Sequence, residues 1–239
     1  MNYVEQNEYL DANTLLMLAE QAILQYPKAY QGQVKLLCQS ENATFLVRTD
    51  KARYALRIHR PNYHSKQDIE SELHWLDALT ESGIAVPQAI LNKQGERVLT
   101  LALSDGTTRY AALFNWVEGD MPTTEVDPTA FQQLGQITAK LHRHSKTWQM
   151  PDSFQRIIWN HDTMLSAEGH WGDWRNAPYL KKSDHEIIEE AVARIGSDLT
   201  TFGQSADRYG LIHADLRLTN LLLQNDRIGV IDFDDCGMS

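Results

Sequence analysis

The chain has 239 residues, 42% hydrophobic and 23% charged, with 13 Gly and 7 Pro, which is ordinary for a globular protein able to bury a substantial core. A formal net charge of −10 argues against non-specific binding to nucleic acid or to an anionic membrane, since neither is drawn to such a surface, and it permits a cationic ligand without requiring one. No apolar run approaches bilayer length, Met1 to Glu5 lacks the start of a secretory signal, and the two cysteines, Cys38 and Cys236, are too few for a disulfide framework or a zinc site. The expectation is therefore a cytoplasmic protein whose chemistry does not depend on thiols, although Cys236, close to Asp232, is left open as a reactive group.

In chain order, Asn13 to Gln25 predicts an amphipathic helix stopped near Pro27, with Leu15, Leu16, Leu18, Ala19, Ala22 and Ile23 on roughly one face. Three strands follow, Val34 to Cys38, Ala43 to Arg48 and Tyr54 to Ile58, as an antiparallel meander joined by polar turns. A helix fits Lys66 to Glu81, with Ser65 and Asp68 at capping-box spacing and Ile69, Leu73, Leu76 and Leu79 as its apolar stripe; it ends at Ser82-Gly83. Gln88 to Leu91, Arg97 to Leu103 and Arg109 to Val117 then predict further strands, so the first half is mostly sheet around one main helix. Glu118 to Pro122 is the natural boundary. Beyond it the pattern turns helical: Asp127 to Trp148 carries Phe131, Leu134, Ile137 and Leu141 on one face, and Ser183 to Phe202 carries Ile187, Ile188, Ala191 and Ile195 on another. Between them, Pro151 to Tyr179 is rich in Trp, His, Asp and Gly and predicts short helices and loops that could line a cleft. Asp162, Glu168 and Asp173 in that stretch would suit a cationic acceptor, but solvated loop carboxylates are the commoner arrangement.

The chemistry concentrates near the end. His213, Asp215 and Asn220 stand at offsets of two and five, and Asp232 follows two short apolar runs, Leu221 to Leu223 and Ile228 to Ile231, joined by the turn Gln224 to Arg227. Such a hairpin brings Asn220 and Asp232 to the same end. Phosphoryl transfer from ATP needs a carboxylate for the acceptor hydroxyl, the role that suits Asp215, and hard oxygen ligands for Mg²⁺, which Asn220 and Asp232 supply. His213 is expected to support the loop by bonding nearby backbone rather than to act as the base. Upstream, Arg57 on the third strand could reach phosphate oxygens, with Glu72 of the following helix holding it; taken without the catalytic loop, two unrelated surface charges are the commoner arrangement.

The pattern His213-x-Asp215-x-x-x-x-Asn220 with Ile231-Asp232-Phe233 resembles the aminoglycoside phosphotransferase and choline kinase-like family, the small-molecule branch of the protein kinase-like fold. Softer matches are Leu134-Gly135 through Leu141-His142, Val86-Pro87, and Phe114 through Gly119. The resemblance implies a bilobal α+β fold: an antiparallel-sheet N-terminal lobe with one main helix, residues 1–117, and a mostly helical C-terminal lobe, residues 118–239, with ATP between them. It makes Asp215 the catalytic base and Asn220 and Asp232 the magnesium ligands. Arg57, paired with Glu72, takes the place of the phosphate-binding lysine, and Phe114, Asn115, Trp116 and Val117 form the hinge that binds adenine through backbone groups. Three departures stand out: Arg replaces Lys on the third strand, the Ser40 to Ala43 loop has no glycine clamp, and the chain ends at Ser239, where relatives continue into further helices. The expectation is thus a fragment or a short form of a kinase acting on a small-molecule hydroxyl, in an amino alcohol, a hydroxy amino acid or an aminoglycoside. The alternatives are a protein Ser/Thr kinase of the same fold and a nucleotide-binding module without turnover.

Overall fold

The computed structural model describes residues 10–122, 128–225 and 227–239; Met1 to Glu5, the predicted helix start at Asp127 and the turn residue Asp226 lie outside the described residues. The first helix, α1 (Ala12–Ile23), starts where the Asp11 carboxylate accepts the N–H groups of Asn13 and Thr14 at 2.9 and 3.2 Å. It packs on a five-stranded antiparallel sheet that begins β1 (Gln33–Gln39), β2 (Ala43–Arg48) and β3 (Arg53–Ile58). Helix α2 (Lys66–Glu81) crosses the other face, opened by the reciprocal Ser65–Asp68 capping box and closed at Gly83, whose φ of 80° only glycine adopts cheaply. Strands β4 (Leu99–Ala102) and β5 (Thr108–Asn115) complete the sheet in the order β1-β2-β3-β5-β4.

Strand alternation divides two cores. Leu56, Ile58, Ala111 and Leu113 face α1, together with Phe45, Val47 and Tyr26. Ala112 and Phe114 face the other way, into a cluster with Ile69, Leu73, Trp75, Leu76 and Leu79 of α2. That second cluster continues through Ile137, Leu141, Leu211, Leu221, Val230 and Phe233, so α2 is packed against both halves of the chain.

The second half is α3 (Pro128–Thr147), β6 (Ile157–Ile158), α4 (His161–Leu165), a 3-10 turn at Trp174–Asn176 and α5 (Lys182–Phe202), followed by β7 (Leu211–Ile212). The predicted hairpin is β8 (Leu221–Gln224) with β9 (Arg227–Val230). The last strand, β10 (Gly237–Met238), inserts between β6 and β7, closing a small sheet around the segment after the hairpin.

Some expectations are corrected. Gln88 to Leu91 is not a strand; it touches β5 through one bridge, Ala89 to Phe114, because the Asn115 side chain takes the Gln88 N–H that a ladder would use. Arg97 to Leu103 shortens to β4, since Arg97 turns away to bind Glu70 and Asp77 at 3.0 and 2.8 Å. Phe131 on α3 points to solvent rather than joining Ile137 and Leu141. The α5 stripe forms as a helical face but buries nothing, with Ile187 67% exposed, because the neighbour packed on it is the five-residue α4. Among the described residues, no helix is long and apolar enough to cross a membrane.

The two helices should therefore respond differently to truncation. Leu73→Ala on α2 is expected to cost about 2–5 kcal/mol, and Ile187→Ala on α5 about 0.5 kcal/mol or less. Urea denaturation of the two variants checks this, and equal losses would show that the α5 face is covered after all.

Candidate active site

The loop that carries Asp215 leaves β7 at His213 and the acidic segment leaves β9 at Ile231, and the two are tied together by short bonds. Ile231 N–H donates to Asn220 O at 3.0 Å, and His213 Nε2 sits 3.0 Å from Ile231 O. The buried His213 ring also packs on Phe233, with centroids 4.4 Å apart, and burial holds its pKa below the ordinary histidine value. Phe233 in turn meets Trp75 of α2 edge to face at 5.3 Å, and Trp75 Nε1 lies 3.3 Å from His144 Nδ1 of α3.

Asn220 is buried, and its amide Nδ2 donates to Asp215 O at 2.8 Å and to Asp215 Oδ2 at 3.1 Å. Both donations leave the Asn220 carbonyl oxygen as an acceptor. Asp215 itself is half-buried and is paired with Arg217, whose Nε is 3.3 Å from Oδ2. Asp232 opens on the cleft with φ of 67°. Its carboxyl is pushed up to about 6, first by desolvation, with Arg57 opposing and Asp234, Asp215 and Glu72 adding to the rise. The structure thus brings Asp215, Asn220 and Asp232 into one electrostatic group.

Across the cleft, the alternation that sends Leu56 and Ile58 toward α1 sends Arg57 toward α2. Its Nη2 donates to both oxygens of Glu72 at 2.7 Å, with the two side chains 10% and 1% exposed, and its guanidinium lies 5.1 Å from the Phe114 ring centroid. Burial works against its charge, but Glu72, Asp234 and Asp232 more than offset it and raise its pKa. At the lobe junction, Asn115 N–H is engaged by Gln88 O at 3.0 Å, while Trp116 stacks under Arg53 at 5.0 Å, and Arg53 pairs with Glu118 at 2.5 Å. Gly229 lets Val117 approach the hairpin, since a Cβ there would lie 2.6 Å from Val117 Cγ1. Asp120 and Leu223 exchange both backbone bonds at 3.0 and 2.9 Å.

Several residues that sequence reasoning left unassigned hold the acidic segment in place. Arg156 donates to the carbonyls of Asp234, Cys236 (2.7 Å) and Asp68 (3.0 Å); His64 Nε2 reaches Asp234 O at 2.7 Å, and Trp159 Nε1 reaches Asp235 O at 2.8 Å. Asp234 is buried, with the His59 ring at 3.4 Å. Burial would raise its pKa, but His59 and the charge of Arg57 hold it well below the usual carboxylate range. The only signal for these was the run Asp232-Phe233-Asp234-Asp235. Cys236 is fully buried, and burial pushes its thiol up to about 12, which disfavours the thiolate. Asp173 caps the 3-10 turn through Arg175 N–H, and Asp162 is 88% exposed beside His161, so both behave as local loop carboxylates.

Among the described residues no group of three or more His, Cys, Asp or Glu side chains is gathered to hold a metal ion; the hard oxygens that could hold a divalent cation are the Asn220 amide oxygen and the carboxylate of Asp232, whose charge is opposed by its own neighbours. Two outcomes follow. Glu72→Gln strands a buried guanidinium and is expected to cost about 3–5 kcal/mol, whereas Arg57→Met with Glu72→Leu stays near neutral in stability; chemical denaturation separates them. Because Asp232 has a raised folded pKa, its ionised form disfavours folding at neutral pH and the penalty disappears below the unfolded carboxylate value of about 3.9. Metal-free Asp232→Asn should then be more stable than wild type at pH 7 and equal to it near pH 3. Asn also tolerates the left-handed backbone, so a gain that is independent of pH would sink the explanation.

The chain is 24% identical over 209 residues to amicoumacin kinase of Bacillus subtilis, covering 87% of this chain and 59% of that protein. It is 27% identical over 194 residues to homoserine kinase of Methylobacillus flagellatus, covering 80% and 54%. It therefore spans somewhat more than half the length of these curated relatives. Among solved structures it superimposes on a microcompartment-associated aminopropanol kinase with a TM-score of 0.86 and 39% identity, over 93% of this chain and 70% of that one. Amicoumacin kinase in complex with AMP-PNP, Ca²⁺ and Ami gives a TM-score of 0.78 at 26% identity, over 96% and 66%. The bilobal kinase-like α+β fold expected from the sequence is the fold observed. The model of the phosphotransferase enzyme family matches residues 36–239, and the chain belongs to that family.

Proposed function

We propose that this chain carries the nucleotide site and catalytic base of an ATP-dependent kinase that phosphorylates a hydroxyl of a small molecule, an amino alcohol or a hydroxy amino acid before an aminoglycoside. The observation that carries the reading is the group formed by Asp215, Asn220 and Asp232 facing the buried Arg57–Glu72 pair. The relatives act on homoserine, aminopropanol and amicoumacin, which supports a small acceptor over a protein. ATP would lie between the lobe of residues 1–117 and the helical lobe from residue 118, in the cytoplasm.

In this reading adenine meets the hinge through Trp116 and Val117, since the Asn115 N–H is already spent on Gln88. Arg57 engages phosphate oxygens with N–H groups that Glu72 does not take; Glu72 binds only Nη2, and Nε has no hydrogen-bond partner among the described residues. Asp215 accepts the hydroxyl proton of the acceptor, and Asn220 Nδ2 holds that carboxylate in position. His213 supports the loop through Ile231 O. Asn220 and Asp232 would hold Mg²⁺, which when bound neutralises charge on the phosphate oxygens. Most of the rate then comes from positioning and charge neutralisation.

Asp215→Asn is expected to lower turnover of homoserine or aminopropanol about 10²–10⁴-fold, the range of a general base, while leaving Mg-ATP affinity within about threefold. Steady-state kinetics with calorimetric nucleotide titration reads both, and full turnover in the variant would refute the assignment.

A further inference from the structure

Just beyond β3, Arg60 has an arrangement that the reading above does not use. Its backbone N–H is anchored on Asn42 Oδ1 at 2.9 Å, and its guanidinium lies flat on Tyr63, 3.3 Å from the ring centroid, with Trp171 at 5.8 Å. Nη1 is 3.6 Å from Glu41 and Nη2 is 4.0 Å from Asp235, attractive distances but too long for hydrogen bonds. The Asp235 carboxylate accepts the Tyr63 O–H at 2.6 Å instead. Nε and Nη2, the two parallel N–H groups along one edge of the guanidinium, are buried and have no hydrogen-bond partner among the described residues.

A guanidinium donates only, and that edge is the one that binds a planar or tetrahedral oxyanion with two parallel bonds. Buried donors left unpaired in a native fold carry a desolvation cost that a ligand removes. Arg60 also lines a cavity of about 110 Å³ beneath the β1–β2 loop, walled by Glu41, Asn42 and His59 and, from the α1 side of the sheet, by Leu15 and Ile58; separately, through Asp235, its guanidinium borders the segment that carries Asp232. The ring of Tyr63 fixes the plane of the fork, so little side-chain freedom is lost on binding.

We infer that Arg60 is an oxyanion-binding residue of the cleft, taking either the terminal phosphoryl group of the nucleotide or a carboxylate of the acceptor. The inference rests on the kinase reading. The two sources share one chemistry and separate in one experiment. Wild type, Arg60→Gln and Arg60→Lys are titrated with ADP and with a non-hydrolysable ATP analogue, both with Mg²⁺, and assayed with homoserine, which has a carboxylate, and aminopropanol, which has none.

If the fork holds the terminal phosphoryl, Arg60→Gln weakens the analogue about tenfold to a hundredfold, the worth of a charge-assisted pair of bonds, and leaves ADP within about twofold. If it holds the acceptor, both nucleotides bind as before and the KM for homoserine rises by a similar factor, while that for aminopropanol does not. Arg60→Lys keeps the charge without the paired edge and gives an intermediate loss; it supplies the same ratios should the Gln variant lose ADP binding altogether. Unchanged analogue-to-ADP and homoserine-to-aminopropanol ratios in variants that still bind ADP overturn the role of Arg60. A wild-type chain that binds neither nucleotide overturns the kinase reading, and this inference with it.

Discussion

The buried pair between Arg57 and Glu72 is the contact on which the rest of the arrangement depends. A guanidinium 10% exposed beside a carboxylate 1% exposed cannot tolerate much misalignment, because each ion loses its water on folding and recovers that loss only through the other. The pair therefore sets how α2 lies across the sheet. Position on α2 then propagates by packing: Trp75, three residues from Glu72, touches Phe233, Phe233 touches His213, and His213 holds Ile231 O at the start of the acidic segment. Arg57 and the loop that carries Asp215 are thus linked through one continuous run of contacts.

Backbone conformation at the loop shows what that alignment sustains. Ala214 and Asp232, neither of them glycine, hold φ of 66° and 67°, on either side of the acidic group. Such conformations cost about 1–3 kcal/mol each and persist only where the surroundings over-determine them. Here Asn220 binds Asp215 through two acceptors, Ile231 N–H is fixed on Asn220 O, and Arg156, His64 and Trp159 take the carbonyls of residues 234 to 236. Those bonds hold the segments carrying Asp215 and Asp232 in place without any ligand; in the proposed reading that is the preorganisation by which positioned charge would accelerate phosphoryl transfer.

Much of this was legible in the chain because it depends on local spacing. The α2 boundaries, the β2 strand, the 221–230 hairpin and the offsets among His213, Asp215 and Asn220 all follow from periodicity, capping and turn chemistry acting within a few residues. Arg57 and Glu72 were readable only as partners on neighbouring elements. What escaped is non-local. Tyr63, His64, Arg156 and Trp159 lie 76 to 172 residues from the carbonyls and carboxylates they bind, and no short pattern encodes such pairing. The α5 stripe failed for another reason: amphipathic spacing tells which residues share a face but not whether anything covers it.

The divergence between two neighbouring carboxylates carries the argument furthest. Asp232 and Asp234 are two residues apart, and burial alone would raise both. Asp234 has His59 at 3.4 Å and the Arg57 charge near it, which lower its pKa, although neither of its buried oxygens has a hydrogen-bond partner among the described residues. Asp232 shares Arg57 with Glu72 and Asp234 and faces Asp215 as well, so its charge remains opposed and its pKa stays near 6. Of the two, Asp232 is therefore the carboxylate whose charge its neighbours disfavour, and that opposition is what a bound cation would relieve in the proposed reading, where Asn220 supplies the second oxygen and Asp215 is the proton acceptor.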